Sequence, residues 1–204
     1  MEKIVFDCER MKYTSTGLYH YCLNLGLHLQ KHFDSSTEEL TFFSPETVEY
    51  VFGPNSSHIR QHSLRKFYMP ALKRFSIWHC TYQSSHYVPR RNRQIKVVLT
   101  IHDLNFLYEK KTESKRLKYP RHLQDNIDCS DAIVCISEFC RKDVLTHCKT
   151  GNKPVHVILN GTNTLKKAGL DNNSYKPERP FLFSLGVICR KKNFHVLLPL
   201  LEQN

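Results

Sequence analysis

The sequence predicts an α/β fold, a parallel sheet flanked by helices, and three observations carry that reading. Short apolar runs rich in β-branched residues recur along the chain and end in polar residues. Segments with three- to four-residue apolar spacing lie between them, as crossover helices require. With 204 residues, only 7 Gly and 9 Pro, and 40% hydrophobic content, the chain is long and apolar enough for a proper core, which excludes collagen-like, low-complexity and disordered classes.

Lys3-Ile4-Val5-Phe6-Asp7 reads as a first buried strand, followed by the loop Tyr13-Thr14-Ser15-Thr16-Gly17. From Leu18 to Phe33, Leu18, Cys22, Leu25 and Leu29, with Tyr21 and Phe33, share one helical face. Leu40–Ser44 is a second strand, ended by Pro45, and Val48–Gly53 is a short helix or a turn. Residues 64–76 alternate apolar and basic positions as a basic amphipathic helix would, with Pro70 kinking it or starting a second segment. That helix either covers the sheet with its basic heads in water or also touches a membrane surface. Strands at Ile77–Cys80, Ile95–Ile101, Ala132–Ile136 and Val155–Leu159 follow, with helices over about 113–128 and 138–148, the latter N-capped by Ser137.

Ligands of parallel sheets collect at the carboxyl ends of the strands. Asp7, Gly17, His79, His102 with Asp103, Ser137, and Asn160 with Gly161 stand at such ends, so they are expected on one rim. A glycine entering a helix lets a phosphate or sugar approach backbone N–H groups, although ordinary turns use glycine too. A neutral imidazole at His102 can exchange hydrogen bonds with a sugar hydroxyl, and a neighbouring carboxylate can fix its tautomer. Adjacent side chains often point apart, which leaves an incidental His-Asp pair open.

The net charge of +11 is concentrated: residues 60–121 hold 15 Lys or Arg against 3 Asp or Glu, so this one segment attracts anionic partners. Nucleic acid, anionic lipid and phosphate-bearing substrates all fit that charge, but no nucleic-acid-binding signature accompanies it. Eight cysteines without an export signal imply free thiols and a cytoplasmic chain, peripheral at most on the inner membrane face. Cys129, Cys135, Cys140 and Cys148 lack any C-x2-C pair, so the spacing suits zinc poorly and no metal is expected.

Read together, the segments resemble the retaining glycosyltransferases with two facing Rossmann-like domains, the GT-B type of the group 1 or family 4 kind. The matching stretches run in order: Thr16–Tyr21, Trp78–Gln83, Val97–Leu104, Ile133–Leu145, Val155–Asn163, and Phe181–Gly186 leading to Lys191-Lys192-Asn193-Phe194. The resemblance implies an acceptor-binding domain over 1–165, an interdomain linker over 166–179, and only the first strand (Pro180–Val187) and helix (about 191–203) of a donor-binding domain over 180–204. The Glu-x7-Glu stretch expected to meet the donor falls beyond Asn204, implying a truncated chain that alone transfers sugar weakly or not at all.

Carried over by resemblance, Gly17 lies near the donor phosphates, His102 near the transferred sugar, and Asp103 braces the loop. His79, Ser137, Asn160 and Gly161 line the substrate side. Lys192 neutralises the departing diphosphate, with Arg190 or Lys191 standing in for the arginine that many relatives carry where this chain has Val187. The partners implied are a nucleotide-sugar donor, a saccharide or lipid-linked acceptor of polysaccharide or glycolipid synthesis, an anionic membrane surface, and a donor-domain partner chain or second copy; no cofactor is implied. The apolar residues of 181–201 should dock or pair, and Pro199 should weaken the last turns of their helix.

Overall fold

The computed structural model describes residues 1–69, 72–90, 94–109, 113–162, 178–179, 181–184, 186, 188 and 192–201. They fall into two compact units, Met1–Asn160 and Gly161–Asn204.

In the first unit, the strands are β1 (Glu2–Asp7), β2 (Glu38–Ser44), β3 (Ser57–Arg60), β4 (Ile77–Cys80), β5 (Lys96–Ile101), β6 (Ala132–Cys135) and β7 (Val155–Val157). They form one all-parallel sheet in the order β3-β2-β1-β4-β5-β6-β7. The helices are α1 (Gly17–His32), α2 (Glu113–Asp128) and α3 (Glu138–His147). This is the doubly wound, Rossmann-like α/β architecture that the strand–helix alternation predicts.

Strand periodicity sends alternate residues to opposite faces. On one face Phe6, Leu40 and Phe42 pack with Cys22 of α1, joined by Leu25 and Leu29. On the other, Val5, Phe43, Trp78, Leu99, Ile101 and Ile133 pack with Leu123 and Ile127 of α2 and with Cys140 and Val144 of α3. Sheet faces covered on both sides explain why β5 reads as a near-continuous apolar run.

The contact between α1 and the turn after β2 depends on Gly26. A Cβ there would lie 2.6 Å from Phe52 Cε1, and the Phe52 ring is stacked on Phe42 with centroids 3.9 Å apart and planes 1° off parallel. The ring therefore has little room to yield. Gly26→Ala is expected to destabilise the fold by ~1–3 kcal/mol despite alanine's better helix propensity, read as a lower urea midpoint; an unchanged or raised midpoint would show that the rings slide apart freely.

Residues 64–76 do not form an amphipathic helix: the chain makes two short 3-10 turns, Ser63–Lys66 and Leu72–Arg74. Pro70 supplies no N–H and disfavours helical geometry at the residue before it. Only part of the supposed apolar face is used, since Phe75 is buried while Leu64, Phe67 and Tyr68 are exposed. Strand β3 was not foreseen, because an edge strand with His58 and Arg60 shows no apolar alternation; it is held by pairing to β2 and by the Ser44 hydroxyl, 2.9 Å from His58 Nδ1.

In the second unit, Phe181–Ser184 form no strand and are exposed. The expected helix over 191–203 is a 3-10 turn, Phe194–Leu197, running into the short helix α4 (Leu198–Leu201). Pro199 thus occupies the first turn of α4, where a missing N–H is least costly, rather than its last turns. Residues 166–177 of the expected linker lie outside the described residues, as do Val187, Arg190 and Lys191.

Candidate functional site

Running outward from β1, the chain builds β2 and β3 on one side and then returns to place β4 on the other. The crevice at such a reversal, above the carboxyl ends of β1 and β4, is where open parallel sheets bind ligands. Its walls are the segment after β1, which leads into α1, and the segment after β4.

His102 follows β5 and is held by the segment after β4. Its Nε2 donates to the Thr81 carbonyl at 2.8 Å, and its backbone N–H donates to Gln83 Oε1 at 3.2 Å. Gln83 is in turn fixed by donating to the Asp103 carbonyl at 3.0 Å. A carbonyl only accepts, so Nε2 carries the proton and Nδ1 keeps its lone pair. Burial lowers the His102 pKa, outweighing the Thr81 bond and the Asp103 charge, both of which act to raise it. The ring is therefore a neutral imidazole with one acceptor nitrogen at a strand end.

Tyr21 of α1 meets His102 edge to face at 4.7 Å, and its hydroxyl lies 3.5 Å from Thr100 Oγ1. The same threonine oxygen lies 2.9 Å from His79 Nε2. Burial, and secondarily the nearby His102, push the His79 pKa down to about 4. His79 and His102 are thus brought together through Thr100 and Tyr21. Of the two, His79 is the inner residue, packed against Phe6 at 5.3 Å.

Thr100→Val removes the hydroxyl shared by His79 and Tyr21 while keeping side-chain volume. The expected loss is ~1–3 kcal/mol from a histidine nitrogen left without its partner, measured by urea unfolding. A loss below 0.5 kcal/mol (a roughly neutral change on the scale of surface substitutions) would mean that the threonine does not link the two rings.

The other predicted residues are placed as follows. Asp103 is exposed and does not grip the imidazole; its Oδ1 accepts from Asn105 N–H at 3.0 Å, at the start of the turn Asn105–Leu107. Gly17 opens α1, capped by Thr16 Oγ1 accepting from Tyr19 N–H, and open space lies where its Cβ would be. Ser137 caps α3 through Cys140 N–H at 3.1 Å, so its hydroxyl already has a structural partner. Asn160 is exposed beyond β7, the far edge strand, and Gly161 begins the second unit. Lys192 belongs to that second unit and Arg190 lies outside the described residues.

Asp7, expected on the rim, is instead buried beneath it with Glu9. The Ser85 hydroxyl lies 3.2 Å from Asp7 Oδ2 and 2.7 Å from Glu9 Oε2, and has one proton for the two. Burial first, and the Glu9 charge second, raise the Asp7 pKa well above its ordinary value. The pair is a structural floor to the crevice.

Sequence reasoning missed Thr100, and it assigned Tyr21 to an apolar helix face. It also passed over Arg10, whose guanidinium carbon lies over the Tyr13 ring at 4.7 Å and over the Tyr82 ring at 4.5 Å. Only the adjacency of β1 and β4 places Arg10 beside Tyr82.

Fold and site together define a doubly wound α/β domain with a polar crevice at its strand-order reversal, a class of ligand-handling domain. The model of Glycosyltransferase Family 4 matches residues 30–165. The chain belongs to that family, and a glycosyltransferase-like function follows in general terms. Among curated proteins none matches the chain. Among the described residues, no helix is long and apolar enough to cross a membrane.

Proposed function

We propose that this chain supplies the acceptor-binding wall of a retaining glycosyltransferase that uses a nucleotide sugar in polysaccharide or glycolipid assembly. The observation that carries the reading is His102: a neutral imidazole, with Nδ1 unprotonated, at a strand end inside the stretch matched to the family. In this reading His102 stands where the transferred sugar meets the acceptor and accepts from a sugar hydroxyl there, and Gly17 lets substrate approach the start of α1 closely. The acceptor oxygen bonds to the anomeric carbon as the bond to the diphosphate breaks, and the acceptor's proton leaves on the departing phosphate. Retention through same-face attack needs positioning and leaving-group stabilisation more than a protein nucleophile. By the resemblance, Lys192 and Arg190 are assigned to that diphosphate.

Saturation-transfer NMR of the full chain against a panel of neutral and anionic oligosaccharides tests this reading. Saturable binding is expected, weakened at least tenfold in His102→Ala and less in His102→Gln. No binding to any saccharide, or equal binding by His102→Ala, would overturn it; micromolar binding of UDP or GDP would place the donor site on this chain as well.

We further assign the segment 63–75 to an anionic membrane surface, on the support of exposed Leu64, Phe67 and Tyr68 beside Lys66, Lys73 and Arg74. Vesicles containing anionic lipid are expected to sediment the protein at low salt and to release it at high salt, with Phe67→Ser and Tyr68→Ser weakening capture. Capture indifferent to lipid charge would refute the assignment.

A further inference from the structure

Among the described residues of the crevice is a cation that the acceptor reading leaves unused. Arg10 follows β1 on the 3-10 turn Glu9–Lys12, and its guanidinium carbon lies over two rings, Tyr13 from its own loop at 4.7 Å and Tyr82 from the loop after β4 at 4.5 Å. Two aromatic faces fix the plane of the guanidinium and remove much of the rotamer freedom an arginine otherwise loses on binding. Its Nε is buried and has no hydrogen-bond partner. Among the described residues, no carboxylate pairs with it. The nearest acids are committed elsewhere: Glu9 is bonded to Ser85 and stands 3.8 Å from Lys12 Nζ, and Asp7 is shifted towards its protonated form.

A preorganised guanidinium with no carboxylate at ion-pair distance among the described residues, in a partly exposed side chain, matches the planar two-oxygen edge of an oxyanion. Lys12, on the same turn, is the ion-pair partner of Glu9 and keeps that carboxylate occupied. The position is informative as well. Tyr82 stands between Thr81, whose carbonyl accepts from His102 Nε2, and Gln83, whose side-chain oxygen accepts from His102 N–H. One three-residue segment therefore holds both the imidazole and the aromatic lid of the arginine.

We propose that Arg10, clamped by Tyr13 and Tyr82, is an oxyanion subsite of the acceptor crevice, so that the acceptor carries a phosphate or carboxylate group close to its sugar. This rests on the acceptor reading given above and narrows it to anionic acceptors. A phosphoryl group and a uronate carboxylate present the same oxygen edge, and the test separates them.

The full chain is titrated at low salt with inorganic phosphate, inorganic pyrophosphate, glucuronate and glucose, following the Arg10 Nε–H resonance by NMR and affinity by calorimetry. Saturable shifts of that resonance are expected with the anions and not with glucose. Stronger binding of pyrophosphate assigns a phosphorylated acceptor, and stronger binding of glucuronate an acidic sugar. Affinity for the preferred anion is expected to fall at least tenfold in Arg10→Gln and in Tyr82→Leu, with Lys142→Gln on α3 as an unaffected control. Anions that leave the wild-type Arg10 resonance unmoved overturn the subsite, whether or not the variants fold. So does Arg10→Gln binding them as the wild type does. If saccharides bind in a manner dependent on His102 while Arg10 stays silent, the subsite fails and the acceptor reading stands; if Arg10 responds to anions while no saccharide binds, the acceptor reading fails.

Discussion

Between pH 7 and pH 4 the protein is expected to lose about 3 kcal/mol of folding stability through His79 alone. The imidazole titrates near its ordinary 6.5 when unfolded and at about 4 in the fold, so the unfolded chain takes up a proton that the folded one refuses. A depressed histidine pKa leaves stability intact above pH 6.5 and erodes it as the pH falls through 6.5 towards 4. His102 is shifted the same way, chiefly by burial, and adds to the slope. His79→Gln keeps a group able to bond Thr100 but has nothing to titrate, so its urea midpoint should fall less steeply with acid than that of the wild type. Parallel curves for the two proteins would remove His79 from the account.

Asp7→Asn is expected to do the opposite of most buried substitutions and raise the melting temperature by several degrees at pH 8. Because the Asp7 pKa is raised by burial and by Glu9, its contribution to stability is complete below the ordinary carboxylate pKa of 3.8 and declines as the pH climbs towards the folded-state value. Asparagine reproduces the uncharged form: Oδ1 can still accept from Glu9 N–H, which Asp7 binds at 2.8 Å, and Nδ2 can donate to Ser85, whose own proton then goes to Glu9. The advantage of the variant should shrink as the pH falls towards 4. Calorimetry across pH 4–8 (a span of about four units, over most of which the unfolded carboxyl is ionised) decides it, and a variant less stable throughout would show that Asp7 is folded as a carboxylate.

Most of the sheet was legible because its strands are buried on both faces. Ile4-Val5-Phe6 and Val97–Ile101 have no alternation to be confused with a surface helix, and the spacing of Leu18, Cys22, Leu25 and Leu29 marks one face of α1. β3 escaped because its stability comes from pairing with β2 and not from its own side chains. Residues 64–76 misled for the converse reason: apolar spacing resembles a helix whether or not the residues are buried, and Leu64 and Phe67 are not. At the site, His102 could be selected from its place at a strand end. The supporting set could not, since Tyr21 and Thr100 look like ordinary core residues until α1 is laid across β5, and Arg10 meets Tyr82 only through tertiary structure.

The reversal of strand order also governs how the chain can assemble during synthesis. The central strand β1 emerges first, and β2 satisfies one of its edges, but Ser76 N–H, which donates to the Lys3 carbonyl at the start of the other edge, is made only after some seventy further residues. Until then a nascent domain displays the backbone of its middle strand to whatever is nearby, a template for wrong partners. Slowing elongation before Ile77 should therefore lower the yield of native protein, whereas a pause after Val157, when every strand of the sheet has been made, should leave it unchanged.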